Sequence, residues 1–296
     1  MTQNDMKAKE YLHYTLDFNP PMDLDIAERN LKEARQILNR LNIVFLMGSG
    51  SCLGATRNGA FMPWDDDIDL VTVLGVNGLT EDAVDIVVDA FEQQGYVIES
   101  IDGNHSKTLM TMKDGVRLSV EFLRIEDDNV YAYPGIKIPA AMFVNPKEII
   151  FLDEKFFVPN PPEEYLRIKY GEEWMIPKRA GQYEKDVVQK IEPVALTGEP
   201  CTLRVLNDED APVHNATVVL VGGGISYTDE KGYADVILPK SDWYALTINF
   251  PGHENVLYME SLEPGQTYVY KTDAIAKATE AADGDVGTLG NLLSIE

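Results

Sequence analysis

The pattern of apolar residues changes near residue 195, and this change most constrains the fold. Before it, segments with a helical apolar period alternate with short apolar runs typical of strands. After it, short strand-like runs are separated by turn residues. A chain of 296 residues is long enough for two domains that each bury a core. The sequence therefore predicts an α/β or α+β domain with a mixed sheet and helices, followed by a small all-β sandwich.

The same patterns divide the chain into five predicted parts. An amphipathic helix begins after Pro20-Pro21, because apolar residues recur at three- and four-residue steps at Leu24, Ala27, Leu31, Ala34, Leu38 and Leu41. A polar stretch with two prolines and a glycine separates the two patterned regions. The parts are an N-terminal extension (1–22), a mixed helix-and-strand domain (23–178), a linker (179–199), a β-sandwich (200–272) and an acidic tail that is either a loose helix or disordered (273–296).

The charge balance excludes some classes of partner. The chain has 49 acidic and 25 basic side chains, which gives a formal net charge of −24. A surface this acidic repels the phosphates of nucleic acids and the headgroups of anionic lipids. We therefore expect no nucleic-acid partner and no binding to membrane surfaces.

Cysteine spacing and hydropathy bear on the compartment. Cys52 and Cys201 are far apart and show no spacing typical of a disulfide framework or a zinc site. No apolar run approaches the ~20 residues that span a bilayer, and the first residues lack the apolar core of a signal peptide. We expect a soluble, cytoplasmic protein, although a virion-associated protein would show the same features.

An acidic cluster at the start of a strand indicates the chemistry. Asp65, Asp66, Asp67 and Asp69 come directly before an apolar run. Like charges this close destabilise a fold unless a cation neutralises them. On a strand, Asp67 and Asp69 point to one side while Ile68 points to the core. The pattern predicts a Mg²⁺ or Mn²⁺ site, because these ions prefer hard oxygen ligands. The alternative is an acidic turn that caps a neighbouring helix.

A segment rich in glycine and serine precedes this cluster. Residues 48–51 follow a predicted strand and lead into a helix, which favours an anion facing the backbone N–H groups. We expect Gly50, Ser51 and Arg57 to bind phosphate, since a guanidinium can donate two parallel hydrogen bonds. The segment is neither a P-loop nor a dinucleotide-binding fingerprint, because both glycine patterns are incomplete.

Two sequence blocks resemble those of a known family. Residues 50–57 (GSCLGATR) and 63–70 (PWDDDIDL), with a second block at 158–177 that contains YGEEW, are similar to the motifs of the LicD/fukutin family. The resemblance covers about residues 25–178. It implies a nucleotidyltransferase-like fold. It also implies a transferase that moves a phospho-alcohol, such as phosphocholine or ribitol phosphate, from a CDP-linked donor to a carbohydrate hydroxyl.

The resemblance also implies roles for individual residues. In this fold, two acidic residues on one strand and a third on a later strand hold the metal, and the matching residues are Asp67, Asp69 and Glu121. Asp65, Glu121 or a bound water would lie closest to the attacking hydroxyl, and Ser51 would hold the diphosphate. Glu121 is the one charged residue in the run LSVEFL. By pattern alone, a glutamate that faces solvent is an equal alternative.

Three further residues near these motifs have two interpretations each. Trp64 would stack on a base or a sugar, although an aromatic residue there more often packs against the protein. Lys107 and Arg117 would suit phosphate, but we interpret them as ordinary strand residues. The sequence alone does not choose between these roles.

The β-rich part shows a weaker resemblance. Residues 211–218 (APVHNATV) and 227–234 (YTDEKGYA) are similar to the pattern of carboxypeptidase-regulatory-like or transthyretin-like sandwiches. Such domains are usually not catalytic, and we assign this one no site. We expect it to bind a glycan, a second copy of the chain or a larger assembly.

Two other functions remain open at this point. A nucleotidyltransferase that acts on a small molecule would use the same fold and differ only in the phosphorus attacked. A non-catalytic glycan-binding or structural protein, such as a virion component, would keep the fold without the reaction. The intact acidic set argues against the second alternative, because a degenerate enzyme is expected to lose at least one aspartate.

Overall fold

A computed structural model describes residues 3–103, 105–178, 187–272 and 292–296. Contacts between residues divide the chain into two units. Unit 1 comprises Met1–Ala132 and Ile136–Met175, and unit 2 comprises Tyr133–Gly135 and Ile176–Glu296. Most of the predicted acidic tail and part of the predicted linker lie outside the described residues. The five-part organisation therefore stays a prediction.

Unit 1 combines helices with strands, as the alternating pattern predicts. Its helices are α1 (Gln3–Phe18), α2 (Leu24–Arg40), α3 (Ser49–Arg57), α4 (Asp82–Glu92), α5 (Ala141–Val144) and α6 (Pro162–Tyr170). Its strands are β1 (Leu46–Met47), β2 (Asp67–Val73), β3 (Val97–Asp102), β4 (Ser106–Lys113), β5 (Val116–Leu123), β6 (Asn129–Ala132), β7 (Ile136–Pro139), β8 (Lys147–Phe151) and β9 (Glu154–Val158). β6 pairs with β7, and β8 pairs with β9, as two antiparallel hairpins.

The central sheet of unit 1 is mixed. Its strand order is β1-β2-β5-β4-β3. β2 and β5 are parallel, whereas the other neighbouring strands are antiparallel. The predicted mixed sheet with helices is thereby confirmed. The parallel register pairs Asp67 with Arg117 and Val71 with Glu121, which sets the positions of the charged residues described below.

Helix α2 follows from its sequence. The Asp23 side chain caps it by accepting the N–H of Ile26 at 3.0 Å. The middle of the predicted apolar stripe, from Ala27 to Leu38, is buried, whereas Leu24 at its start is 38% exposed. The stripe packs against β2 and β5, and thus supports the strands that carry the acidic residues.

Helix α1 differs from the sequence-based expectation. Residues 1–22 were predicted as a polar extension, but residues 3–18 form a helix that contacts β3 and β4. Leu12 and Thr15 of this helix are buried, while Tyr14 and Phe18 are exposed. Few apolar residues face the sheet, so the apolar period is too weak to indicate a helix.

Unit 2 is built from strands. They are β10 (Glu199–Leu206), β11 (Thr217–Leu220), β12 (Ile225–Tyr227), β13 (Tyr233–Leu238), β14 (Asp242–Phe250), β15 (His253–Leu262), β16 (Thr267–Lys271) and β17 (Ser294–Ile295). Two four-stranded sheets have the orders β13-β10-β16-β17 and β12-β11-β14-β15. Side chains from both sheets share one hydrophobic core. That the two sheets form a β-sandwich like those of known families stays a prediction.

Three parts of unit 2 were not anticipated, and one of them is β12, which has three residues. β15 was missed because its sequence, HENVLYMESL, does not alternate cleanly between apolar and polar residues. Residues 292–296 were predicted as part of the tail, yet β17 pairs with β16. Within the residues that the structure describes, no helix is both long and apolar enough to cross a bilayer.

Candidate functional site

Three acidic side chains lie on one face of the two parallel strands. In β2, Asp67 and Asp69 are partly exposed, whereas Ile68 between them is fully buried. In β5, Glu121 is the partly exposed residue among buried neighbours. Because Glu121 pairs with Val71, two residues after Asp69, it points to the same side of the sheet. The predicted alternation along β2 is confirmed.

The first turn of α3 holds Asp69 in place. The N–H of Gly50 donates to Asp69 Oδ2 at 2.9 Å. The N–H of Asp69 in turn donates to the hydroxyl oxygen of Ser51 at 3.0 Å, and Ser51 is buried. These groups, predicted to bind phosphate, therefore contact the acidic strand, and their phosphate role stays a prediction.

Gly50 also makes room for Asp65. A Cβ atom at Gly50 would lie 2.9 Å from both carboxylate oxygens of Asp65, closer than real contacts allow. The backbone of Asp65 is fixed by hydrogen bonds to Met62 and Met22. Asp65 Oδ2 is buried and has no hydrogen-bond partner within the described part of the chain. A buried carboxylate oxygen without a donor is costly, which marks this atom as a candidate ligand or base.

Arg117 belongs to this site and is not an ordinary strand residue. Its guanidinium binds Asp66, lies 3.7 Å from Asp67 Oδ2, and donates to the carbonyl of Thr15. One carboxylate oxygen from each of Asp65, Asp66 and Asp67 can lie within 4.8 Å of the others. Asp66, to which the sequence analysis gave no role, is thus the main partner of Arg117.

Helix α6 adds two residues that the sequence analysis missed. The hydroxyl oxygen of Tyr165 accepts the N–H of Ser49 at 2.9 Å, which fixes α6 against the start of α3. Lys169 lies one turn further along the same face, and its ammonium interacts electrostatically with Asp69 and Glu121. The four-residue spacing was visible in the sequence, but nothing local indicated which strands this face meets.

Burial and mutual repulsion raise the pKa of the acidic groups. Burial is the main cause in each case, and it raises the pKa of Asp69 to about 6. The pKa values of Asp65 and Asp67 lie well above the ordinary value, because neighbouring aspartates add repulsion to burial. Burial also raises the pKa of Glu121, against the opposing effect of Lys169. The acidic groups therefore favour a cation or a proton.

Arg57 and Trp64 lie at the edge of this arrangement. Arg57 ends α3, about 10 Å along the helix from Gly50 by the ordinary rise per residue. It donates to Asn58 Oδ1 at 2.7 Å and to the carbonyl of Trp174 at 3.3 Å. Trp64 is 48% exposed in the turn before β2. The structure therefore brings Gly50 and Ser51 to the acidic residues but leaves Arg57 at the far end of its helix.

Comparisons with known proteins bear on unit 1. Residues 42–160 match the family described as LicD/FKTN/FKRP, nucleotidyltransferase domain. The proteins named ribitol-5-phosphate transferase FKTN from Homo sapiens and Macaca fascicularis are each 28% identical over 171 residues. The matched region is 54% of this chain and 35% of each relative. The chain thus spans about a third of the length of these curated relatives.

One solved structure shows a low overall similarity. The crystal structure of ANT(2")-Ia in complex with adenylyl-2"-tobramycin aligns with 45% of this chain and 68% of its own chain. The TM-score is 0.33 and the sequence identity is 13%.

Proposed function

We propose, from the match of residues 42–160 to the LicD/FKTN/FKRP family model, that the chain is a metal-dependent transferase of phospho-alcohols. The donor is a CDP-linked alcohol of the ribitol or choline type, and the acceptor is a carbohydrate hydroxyl. The observation that carries this proposal is that Asp67, Asp69 and Glu121 lie on one face of two parallel strands. Asp65 and Asp69 lie next to Gly50 at the start of α3.

The residues present suit Mg²⁺ or Mn²⁺. Asp67, Asp69 and Glu121 offer hard oxygen ligands, and Asp65 Oδ2 is buried without a hydrogen-bond partner in the described residues. A divalent cation bound there would offset the repulsion among the carboxylates and neutralise charge on the donor phosphates. The ligands proposed from the family resemblance are Asp67, Asp69 and Glu121. Among the described residues, the three carboxylates whose oxygens lie within 4.8 Å of one another are those of Asp65, Asp66 and Asp67, so Asp69 and Glu121 would have to approach Asp67 to share an ion with it.

The proposed reaction is a single displacement at phosphorus. The acceptor oxygen forms a bond to the phosphorus that carries the alcohol, and the bond from this phosphorus to the bridging oxygen breaks, so that CMP leaves. The hydroxyl proton goes to Asp65, because its Oδ2 has no hydrogen-bond partner in the described residues and burial raises the pKa of this carboxyl. Ser51 and Gly50 position the carboxylates, and the rigid site supplies orientation.

Unit 2 and the location of the chain enter as further parts of the proposal. We expect the two sheets of unit 2 to pack as a β-sandwich that binds the glycan acceptor or a second copy of the chain. We also propose that the chain acts in the cytoplasm, because its two cysteines, Cys52 and Cys201, show no disulfide spacing and suit a reducing compartment. Neither expectation is needed for the chemistry of unit 1.

The test incubates the full chain with Mg²⁺ and either CDP-ribitol or CDP-choline, with and without candidate glycans. We expect release of CMP that requires Mg²⁺, and a glycan whose mass increases by one phospho-alcohol. Asp69→Asn should abolish this release. Asp102→Asn is the matched control, because its side chain is 69% exposed on β3 and pairs with Arg124, outside the site.

Other outcomes would contradict the proposal. Absence of CMP release from both donors with every acceptor would exclude the transfer reaction. A product that carries a nucleotide would favour a nucleotidyltransferase. Glycan binding without turnover, unchanged in Asp69→Asn, would favour the non-catalytic alternative.

A further inference from the structure

Three basic side chains, those of Arg57, Arg117 and Lys169, lie on elements next to the acidic residues. Their interaction partners differ. Arg117 is 4% exposed and is held by Asp66 and the carbonyl of Thr15. Arg57 points from the last turn of α3 to groups at that end of the helix. Lys169 is the one of these three whose charge acts on both Asp69 and Glu121. Lys169 is therefore the basic residue of the three whose charge acts on an anion bound next to these two carboxylates.

The position of Lys169 is well defined by its helix. Tyr165 and Leu166 are buried and anchor α6, and the Tyr165 hydroxyl accepts the N–H of Ser49. Gly171 ends the helix with a φ of 86° directly after Tyr170. Lys169 is therefore held in the last turn of a fixed helix, with a flexible stem that ends at the site.

The ammonium group of a lysine in this position can interact first with carboxylates of the protein and then with a bound phosphate. Its ammonium is a compact charge with three rotatable donors, so it can move between carboxylate and phosphate oxygens. In the free protein the charge of Lys169 interacts with those of Asp69 and Glu121 from beyond ion-pair distance, since no ion pair of the described residues joins it to either carboxylate. Once a divalent cation binds those carboxylates, the cation repels the ammonium and a donor phosphate attracts it.

We propose that Lys169 is a substrate-binding residue that contacts the diphosphate of the nucleotide donor. This inference rests on the proposed function for the class of donor, but its binding steps can be measured without turnover. It predicts opposite effects of one substitution. Removal of the Lys169 charge should strengthen metal binding to the free protein and weaken nucleotide binding to the metal-loaded protein.

The test compares Lys169→Met and Lys169→Arg with Arg167→Gln in the full chain. Arg167 lies on the same helix and pairs with the exposed residues Glu164 and Glu172, so it controls for loss of a basic residue. Mn²⁺ binding is measured by electron paramagnetic resonance without nucleotide, and CDP binding by calorimetry with saturating Mn²⁺. Thermal unfolding reports whether each variant is folded.

For Lys169→Met we expect Mn²⁺ to bind several-fold more tightly, at roughly 3-fold or more, because one opposing charge is gone. CDP should bind about 10- to 100-fold more weakly, as expected for a lost charged hydrogen bond. Lys169→Arg should recover part of the CDP affinity. Arg167→Gln should change neither affinity by more than about twofold.

Several results would overturn the role of Lys169. Unchanged CDP affinity in a folded Lys169→Met would do so, and so would a joint loss of Mn²⁺ and CDP binding, which indicates a structural role. If the affinities shift as expected but no CDP-alcohol is turned over, the transferase function fails and Lys169 remains a nucleotide-binding residue. A parent chain that binds neither Mn²⁺ nor CDP would overturn both proposals.

Discussion

Both units of the chain bury carboxylates, but the groups around those carboxylates differ. In unit 2, Glu260 is 1% exposed, and its two oxygens accept the N–H groups of Leu292 at 2.8 Å and Leu293 at 3.2 Å. In unit 1, the neighbours of Asp65 and Asp67 include other carboxylates, and Asp65 Oδ2 has no partner in the described residues. Unit 2 satisfies its buried acid with its own backbone.

This difference separates a structural acid from candidate functional ones. A raised pKa does not separate them, since burial raises the pKa of Glu260 to about 7 and that of Asp69 to about 6. The type of group that contacts the carboxylate does separate a structural acid from a functional one. A buried carboxylate with two backbone donors stabilises the position of a strand, whereas several carboxylates that repel one another are stable only with a cation or a proton.

The largest expected effect tests the unit 1 side of this comparison. Asp67→Asn or Asp69→Asn should lower phospho-alcohol transfer more than ~100-fold, because each removes a charge that a metal needs. The metal-free variants should unfold at the same temperature as the parent or higher, since repulsion is reduced. CMP release and thermal unfolding measure the two effects. Activity within a few-fold of the parent would refute the metal-ligand role.

The second largest expected effect concerns Glu260, the buried carboxylate of unit 2. The pKa of Glu260 in the folded protein, about 7, exceeds its ordinary value of 4.5, so the folded state binds more protons between these values. Wild-type stability should therefore fall relative to Glu260→Gln as pH rises from about 4.5 to about 8, by roughly 3 kcal/mol. Denaturant unfolding, followed by hydrogen exchange of β15, measures the difference. A constant difference across this range would contradict the assignment.

Metal addition should distinguish the two units directly. Mg²⁺ at about ten times its Kd should stabilise unit 1 by about 1.4 kcal/mol and leave unit 2 unchanged. Hydrogen exchange of β2 and β5, compared with β14 and β15, provides the measurement. Asp69→Asn should lose this protection, and equal protection of both units would show that Mg²⁺ acts elsewhere.

The smallest effect concerns Arg57. Its contacts with Asn58 and the carbonyl of Trp174 favour a structural role, so Arg57→Lys should cost about 1 kcal/mol in stability, because lysine lacks the planar fork of donors. CDP titration checks the phosphate role predicted from the sequence. A CDP affinity reduced by about tenfold or more would restore that role.

Local periodicity explains which parts of the fold could be predicted. The stripe along α2 and the alternation of Asp67, Ile68 and Asp69 in β2 follow from helix and strand geometry, and both are observed. Helix α1 and strand β15 were not predicted from the sequence, because their apolar residues show no clear period. A period is visible only where one face of an element is consistently buried.

The sequence by itself determined that Asp67 and Asp69 lie on one face of a strand, because residues two apart on a strand point to the same side. Only the tertiary structure decided that Arg117 binds Asp66, and that the charge of Lys169 acts on Asp69. These partners come from distant elements. Their contacts depend on the β2–β5 register and on the packing of α6, which the whole core sets and no local pattern encodes.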